Sequence, residues 1–143
     1  MPSFKAPVLK YSERGWRATT IVAVRSSEDF SMFAAGCRAL IDTGATVSCI
    51  STELARRMGL PFAGTDAVDT AGGLLEKANY HDLQIYLPDI ARPFPVSYAP
   101  EYSGMAGIDV FIGMDIIMKS NLTIRRHSET LKMSFSRRVL RDL

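Results

Sequence analysis

An apolar run, Ala39-Leu40-Ile41, ends abruptly on a carboxylate, Asp42, and Thr43, Gly44 and Ala45 follow at once. The run has the composition of a buried strand. A carboxylate at the end of such a strand loses hydration that something else must replace. Glycine at position 44 lets backbone N–H groups approach the carboxylate oxygens closely. Donors aimed at an ionised carboxylate favour its charged form, whereas burial or a second carboxylate favours the protonated one. Asp42 is therefore the candidate acid/base of the chain. The competing reading is a turn residue, since Asp-Thr-Gly is also good turn chemistry.

The rest of the sequence reads as short strands separated by turns. Thr19 to Arg25 is rich in β-branched residues and is a predicted strand. Val8 to Tyr11 is a shorter one, suited to a sheet edge. Phe30 to Ala35 has no clear period and reads as an irregular connection, and Cys37 to Ile41 as the strand leading into Asp42. Thr46 to Ile50 is a further predicted strand. Ser51 then N-caps a helix over 52–58, with Glu53 in its first turn, Gly59 as its stop and Pro61 beyond. Gly64 to Gly73 reads as a loop. Leu74 to Tyr80 and Asp82 to Leu87 read as two strands, the second by its alternation. Phe94 to Tyr98 is a possible strand in a proline-rich stretch, and Tyr102 to Gly107 reads as flexible. Val110 to Ile112 is apolar, a short helix is predicted over 115–119, and Leu122 to Ile124 with Thr130 to Phe135 forms a closing hairpin. Many short strands with two short helices indicate an all-β barrel or sandwich.

At 143 residues the chain suits one domain with a real core. A net charge of +2 is too small to call for nucleic acid as a partner. The basic residues Arg125, Arg126, Arg137, Arg138 and Arg141 read as a solvated face or tail. Met1-Pro2-Ser3-Phe4-Lys5 leads into no apolar signal segment, and no apolar run is long enough to span a bilayer, so a cytoplasmic protein without membrane contact is expected. Cys37 and Cys49 have no metal-type spacing; with only His81 and His127 to help, no metal or other cofactor is expected. The cysteines read as small, reduced, buried side chains, the histidines as surface residues, and Trp16 as a barrel plug.

Leu40-Ile41-Asp42-Thr43-Gly44-Ala45 resembles the active-site motif of aspartic proteases in its retropepsin-like form. Phe111-Ile112-Gly113-Met114-Asp115-Ile116-Ile117 is similar to that family's second signature: two apolar residues, a glycine, then a short helix. The resemblance covers residues 19–135 and favours the cellular and bacterial branch, because the acid–base pair that braces retroviral members is replaced here by Thr46 and Met114. It implies a single-lobe acid-protease β-barrel over residues 1–143, with Asp42 catalytic and Thr43, Gly44 and Ala45 supporting its loop. It further implies a cleft bordered by Phe111, Ile112 and Gly113. A hairpin flap should close that cleft, and Ala71-Gly72-Gly73 is its best candidate.

The family's chemistry needs two carboxylates that share one proton. Asp69-Thr70-Ala71 follows Asp42 too closely to belong to a second lobe, and Asp109 and Asp115 read as a turn residue and a helix cap. The resemblance thus implies a symmetric homodimer with one Asp42 from each subunit, acting on a protein or peptide substrate. Terminal strands, Val8 to Tyr11 and the region after Thr130, are the expected contact. The alternative is a catalytically silent module of the same fold that dimerises or binds peptide.

Overall fold

The computed structural model describes residues 3–6, 8–12, 15–69, 75–103, 105–128 and 130–137. In chain order the elements are β1 (Ser3–Ala6), β2 (Val8–Ser12), β3 (Gly15–Ser26), β4 (Phe33–Ile41), β5 (Cys49–Ser51), α1 (Thr52–Met58), β6 (Gly64–Asp69), β7 (Leu75–Tyr86), β8 (Phe94–Tyr102), β9 (Val110–Ile112), α2 (Met114–Ile117), β10 (Ser120–His127) and β11 (Thr130–Arg137). Eight strands form one sheet in the order β2-β3-β4-β9-β5-β8-β7-β6, and β7 pairs again with β3. That second pairing closes β3, β4, β9, β5, β8 and β7 into a six-stranded barrel. Closure leaves no open edge among those strands.

Long strands make the closure possible. The first half of β7 pairs with β6, from Asp69↔Leu75 to Gly64↔Tyr80, and its second half turns to β3, from Ala23↔Tyr86 to Ser26↔Leu83. The remaining sheet, β1-β11-β10, caps the barrel and buries Met133 and Phe135 in the common core. Val22, Val24, Ile50, Leu83, Ile85, Phe94, Val110 and Ile112 supply the barrel interior, and Leu54 and Ile116 bring the two helices onto it.

Local signals account for α1. The Ser51 side chain accepts from the Leu54 N–H at 3.0 Å, and Gly59 ends the helix in the left-handed region at φ 68°. The edge strand over Val8–Tyr11 is present as β2, and the closing hairpin as β10–β11.

Several boundaries differ from those the sequence predicts, each because pairing overrides local composition. Phe33–Ala35 join β4 instead of the preceding connection, since Val24 and Arg25 offer register partners at Ala34 and Phe33. Gly36 lies between them and Cys37 at φ 69°, where the β3–β4 register shifts. The expected loop from Gly64 is strand β6 as far as Asp69, held by β7. Residues 70–74 lie outside the described residues, and with them the flap candidates Ala71, Gly72 and Gly73. The two strands expected between Leu74 and Leu87 are one strand with an irregularity between His81 and Leu83. Strand β8 runs on to Tyr102 through Pro95 and Pro100 because its contact with β5 is confined to Glu101 and Tyr102, where no proline sits. Helix α2 starts one residue earlier than expected and ends at Ile117. The Trp16 side chain lies outside the described residues.

Phe94 is fully buried, and the Arg137 guanidinium stands 4.3 Å from its ring centroid, tying β11 to β8. Phe94→Ala should lower the free energy of unfolding by about 3–5 kcal/mol, read from the shift in a urea denaturation midpoint at unchanged slope.

Candidate active site

Asp42 is the first residue after β4. That strand runs parallel to β9, with Leu40 opposite Phe111 and Ile41 opposite Ile112. The chain turns through residues 42–48 and returns as β5, antiparallel to the other side of β9. Strand β9 therefore lies between the strand that enters the Asp42 turn and the strand that leaves it. The Asp42 N–H donates to the Ile112 carbonyl at 2.9 Å, so the turn begins on a bond to the second signature.

Inside the turn the Gly44 N–H donates to Asp42 Oδ1 at 2.9 Å, and the Ala45 N–H donates to the Asp42 carbonyl at 3.2 Å. The first bond orients the carboxylate. A Cβ on residue 44 would stand 3.3 Å from that same Oδ1, a tight contact that would press on the carboxylate. Asp42 and Ala45 are half-buried, while Thr43 and Gly44 are exposed. The turn thus presents its tip and part of the carboxylate at the surface of the chain.

Gly113 supports the turn from beneath. A Cβ there would meet the Val47 carbonyl carbon and oxygen at 2.7 Å each and the Ala45 oxygen at 2.8 Å. Its backbone is extended, so the constraint is space, not conformation. The Met114 N–H donates to the Ala45 carbonyl at 2.8 Å, and the Gly113 N–H donates to Ser48 Oγ at 3.0 Å. Ser48, buried, donates its hydroxyl to Asp115 Oδ1 at 2.7 Å. Its N–H faces both Asp115 oxygens at 3.0 Å. These bonds take residues 45–48 away from sheet pairing, so the strand expected over Thr46–Ile50 is reduced to Cys49–Ser51.

Asp42, Gly44, Ala45 and Gly113 thus come together in one hydrogen-bonded unit, and Thr43 lies at its exposed tip. Phe111 and Ile112 separate: Ile112 is fully buried in the core, whereas Phe111 is half-buried and stacks on Tyr102 with ring centroids 4.3 Å apart. Strand alternation sends the two to opposite faces of β9, so only Phe111 remains available as a cleft wall. Ser48 was not legible as part of this unit. The signal that could have found it is a hydroxyl between Val47 and Cys49 in a buried stretch, where it must find a partner.

Asp109 and Asp115, the other carboxylates weighed for the site, have structural partners. Asp115 holds Ser48 and also accepts from the Ile116 N–H at 2.9 Å. Asp109 accepts from the Arg38 N–H at 2.9 Å and lies 3.4 Å from Arg57 Nη2. Asp115 is not the helix cap that the sequence suggests: Gly113 takes that position, and Asp115 sits in the first turn of α2, while Asp109 lies just before β9. His81 also departs from the sequence reading. It is 1% exposed instead of being a surface residue, because both ring nitrogens find polar partners inside the fold, the Pro61 carbonyl and the Glu101 carboxyl group. Among the described residues, no group of three or more His, Cys, Asp or Glu side chains is placed to hold a metal. Cys37 is buried, Cys49 half-buried, and neither is in a disulfide. Burial pushes the Cys49 thiol up to about 11, helped by the Asp115 and Asp42 carboxylates. Burial and then Asp109 push Cys37 up to about 11, against the Arg57 guanidinium.

A retropepsin-like β-barrel carrying an Asp-Thr-Gly turn over a glycine of a second signature defines a class of protein. Residues 34–116, more than half of the chain, match the family described as aspartyl protease, and the chain belongs to that family. Its fold is similar to that of a retropepsin-like aspartic protease from Rickettsia conorii, with a TM-score of 0.53 and 15% identity over 92% of this chain and 89% of that one. No curated protein matches the sequence.

Gly113→Ala should displace the 45–48 backbone and cost several kcal/mol of stability, on the scale of an overpacked core; thermal unfolding of the variant against wild type measures it. The raised thiols have a second consequence. Alkylation of the native protein at about pH 8 should run roughly a hundredfold slower than in denaturant, followed by mass spectrometry of the modified peptides.

Proposed function

We propose that this protein is an aspartic endopeptidase in which two Asp42 carboxylates, one from each subunit of a homodimer, activate the attacking water. The observation that carries the reading is the Asp42 turn itself. Its carboxylate is oriented by the Gly44 N–H, and Thr43 and Gly44 at its tip are exposed. A partner subunit's turn can meet such a tip directly. Two carboxylates brought a few ångström apart cannot both ionise, so the pair holds one proton. The ionised member takes a proton from water, whose oxygen adds to the peptide carbonyl carbon. The protonated member gives its proton to the carbonyl oxygen. In the collapse of the tetrahedral intermediate the carboxyl group that took the water proton gives it to the nitrogen as the C–N bond breaks, and the other carboxylate takes a hydroxyl proton, so that the pair again holds one proton and the neutral amine leaves.

Dimerisation belongs to this proposal because Asp109 and Asp115 are engaged elsewhere and Asp42 needs a mate. Strand β11 is paired on both sides within its own chain, by β1 and by β10. A partner strand at the terminal sheet would therefore have to use the edge of β1 or β10. Phe111 with Tyr102 stacked against it is the proposed aromatic wall of the cleft, and the segment around Ala71, Gly72 and Gly73 its proposed cover. A cytoplasmic location belongs to the same reading, supported by the two free thiols.

Asp42→Asn should reduce cleavage of an extended peptide library by roughly a thousandfold or more while leaving the far-UV circular dichroism spectrum unchanged. Undiminished cleavage by that variant would falsify the mechanism. Sedimentation of an active sample should show a dimer; an active species that stays monomeric at every concentration removes the shared pair.

A further inference from the structure

Strand alternation puts one row of side chains on the same outward face of five neighbouring strands, β9, β5, β8, β7 and β6. Cys49 of β5 stands opposite Phe111 of β9. Phe111 stacks on Tyr102 of β8, and Tyr98, four residues back along β8, shares the face of Tyr102. Tyr80 of β7 stands opposite Pro100, between those two tyrosines. Gly64 and Asp66 of β6 stand opposite Tyr80 and Ala78. The row starts beside the Asp42 turn. The Cys49 thiol lies within electrostatic reach of Asp42 on one side and of the Tyr98 phenol on the other.

At the far end of the row three side chains hold one another. Tyr80 and Tyr98 pack with ring centroids 4.7 Å apart and planes inclined by 37°. The Tyr80 ring fills the space above Gly64, where a Cβ would reach two of its ring carbons at 2.6 and 2.7 Å. Tyr98 crosses β7, where Ala78 is small enough to pass beneath it, and its hydroxyl donates to Asp66 Oδ2 at 3.4 Å. Burial and then the Asp66 carboxylate push the Tyr98 phenol up, so the hydroxyl keeps its proton and remains the donor. Asp66 Oδ1 accepts from the Ala67 N–H at 2.8 Å.

Asp66 is exposed, and among the described residues it forms no ion pair. Lys77 belongs to the same ladder but stands opposite Ala67, so alternation sends it to the other face. A carboxylate accepts at about four lone-pair sites, so two donors leave part of its capacity open. Beside it are two half-buried phenol rings. Such a set suits a cation: a ring face attracts positive charge, and the carboxylate adds a charge-assisted hydrogen bond. An anion would be repelled by Asp66. A purely apolar group would strip water from the carboxylate without supplying a donor. A guanidinium fits most completely, because it stacks on a ring while donating from its edge.

We propose that Asp66, Tyr80 and Tyr98 form a subsite for a cationic side chain, arginine or lysine, of an extended peptide, several residues from the bond to be cut. Phe111, at the other end of the row, is the proposed wall beside that bond. That the bound peptide is a substrate rests on the endopeptidase reading; that it binds through this cluster does not.

Peptide retention tests the subsite without any need for turnover. Immobilised Asp42→Asn protein is offered a pool of random decapeptides, and the bound fraction is sequenced by mass spectrometry. Arginine and lysine should be enriched about five- to tenfold over the input. Adding Asp66→Asn should abolish the enrichment, and adding Tyr98→Ala should lower it severalfold. Adding Asp89→Asn removes the same charge from an exposed turn after β7 and should leave the enrichment unchanged. Retention without enrichment overturns the proposal, as does enrichment that survives Asp66→Asn. An equal loss in the Asp89→Asn protein overturns it as well, since that is the effect of net charge alone. Cleavage of the same pool by the wild type decides the protease reading separately: enrichment that depends on Asp66, with no cleavage, removes that reading and supports the subsite.

Discussion

The backbone around Asp42 depends on an approach that only a glycine allows at position 113. Two segments of main chain, 45–47 and 113–114, pass so close that a Cβ on Gly113 would sit 2.7 Å from the Val47 carbonyl. That closeness lets the Met114 N–H reach the Ala45 oxygen and the Gly113 N–H reach Ser48. Each such bond is worth about 0.5–1.5 kcal/mol net. Their larger effect is geometric. They remove residues 45–48 from any strand ladder and set the Asp42 turn against β9, so Asp42 is held by main-chain bonds and by the buried Ser48 hydroxyl.

Barrel closure serves the same end. Strand β9 has three residues and contributes little area by itself. It nevertheless pairs with β4 on one side and β5 on the other, and both flank the Asp42 turn. Val110 and Ile112 point into the core and are almost completely buried. Loss of core packing would therefore reach Asp42 through two residues of β9. The buried polar groups follow a similar logic. Ser48 with Asp115, and His81 with Glu101 and Pro61, each join segments far apart in sequence, and each would be costly to bury unpaired.

Much of this was legible in the residues. Ser51, Glu53 and Gly59 mark α1 because caps and dipole effects act within a single helical turn. Gly44 marks the turn that donates to Asp42, Gly113 was marked by its place in the second signature through the resemblance, and the apolar runs before Asp42 and Gly113 mark the strands beneath them. The failures are equally specific. Gly64-Thr65-Asp66 has the composition of a loop and becomes β6 only because Leu75–Tyr80 lies alongside. Phe33 and Ala34 lack a strand period and become β4 because β3 is long enough to pair with them. His81 has the polarity of a surface residue; its burial depends on Glu101 and Pro61, which no local pattern connects to it.

The sequence by itself determined the all-β class, helix α1, the two glycine-centred signatures and Asp42 as the chemically exceptional residue. The class and helix α1 rest on propensity, alternation and capping, which act over a few neighbouring residues, whereas the two signatures rest on resemblance to the motifs of a known family. Only the tertiary structure decided that Phe111 and not Ile112 faces outward, that Ser48 and Asp115 brace the turn, and that His81 is sealed beside Glu101. These depend on hydrogen bonds between groups as far apart as Ser48 and Asp115, 67 positions along the chain, and such bonds exist only once the barrel has closed and excluded water from between the partners.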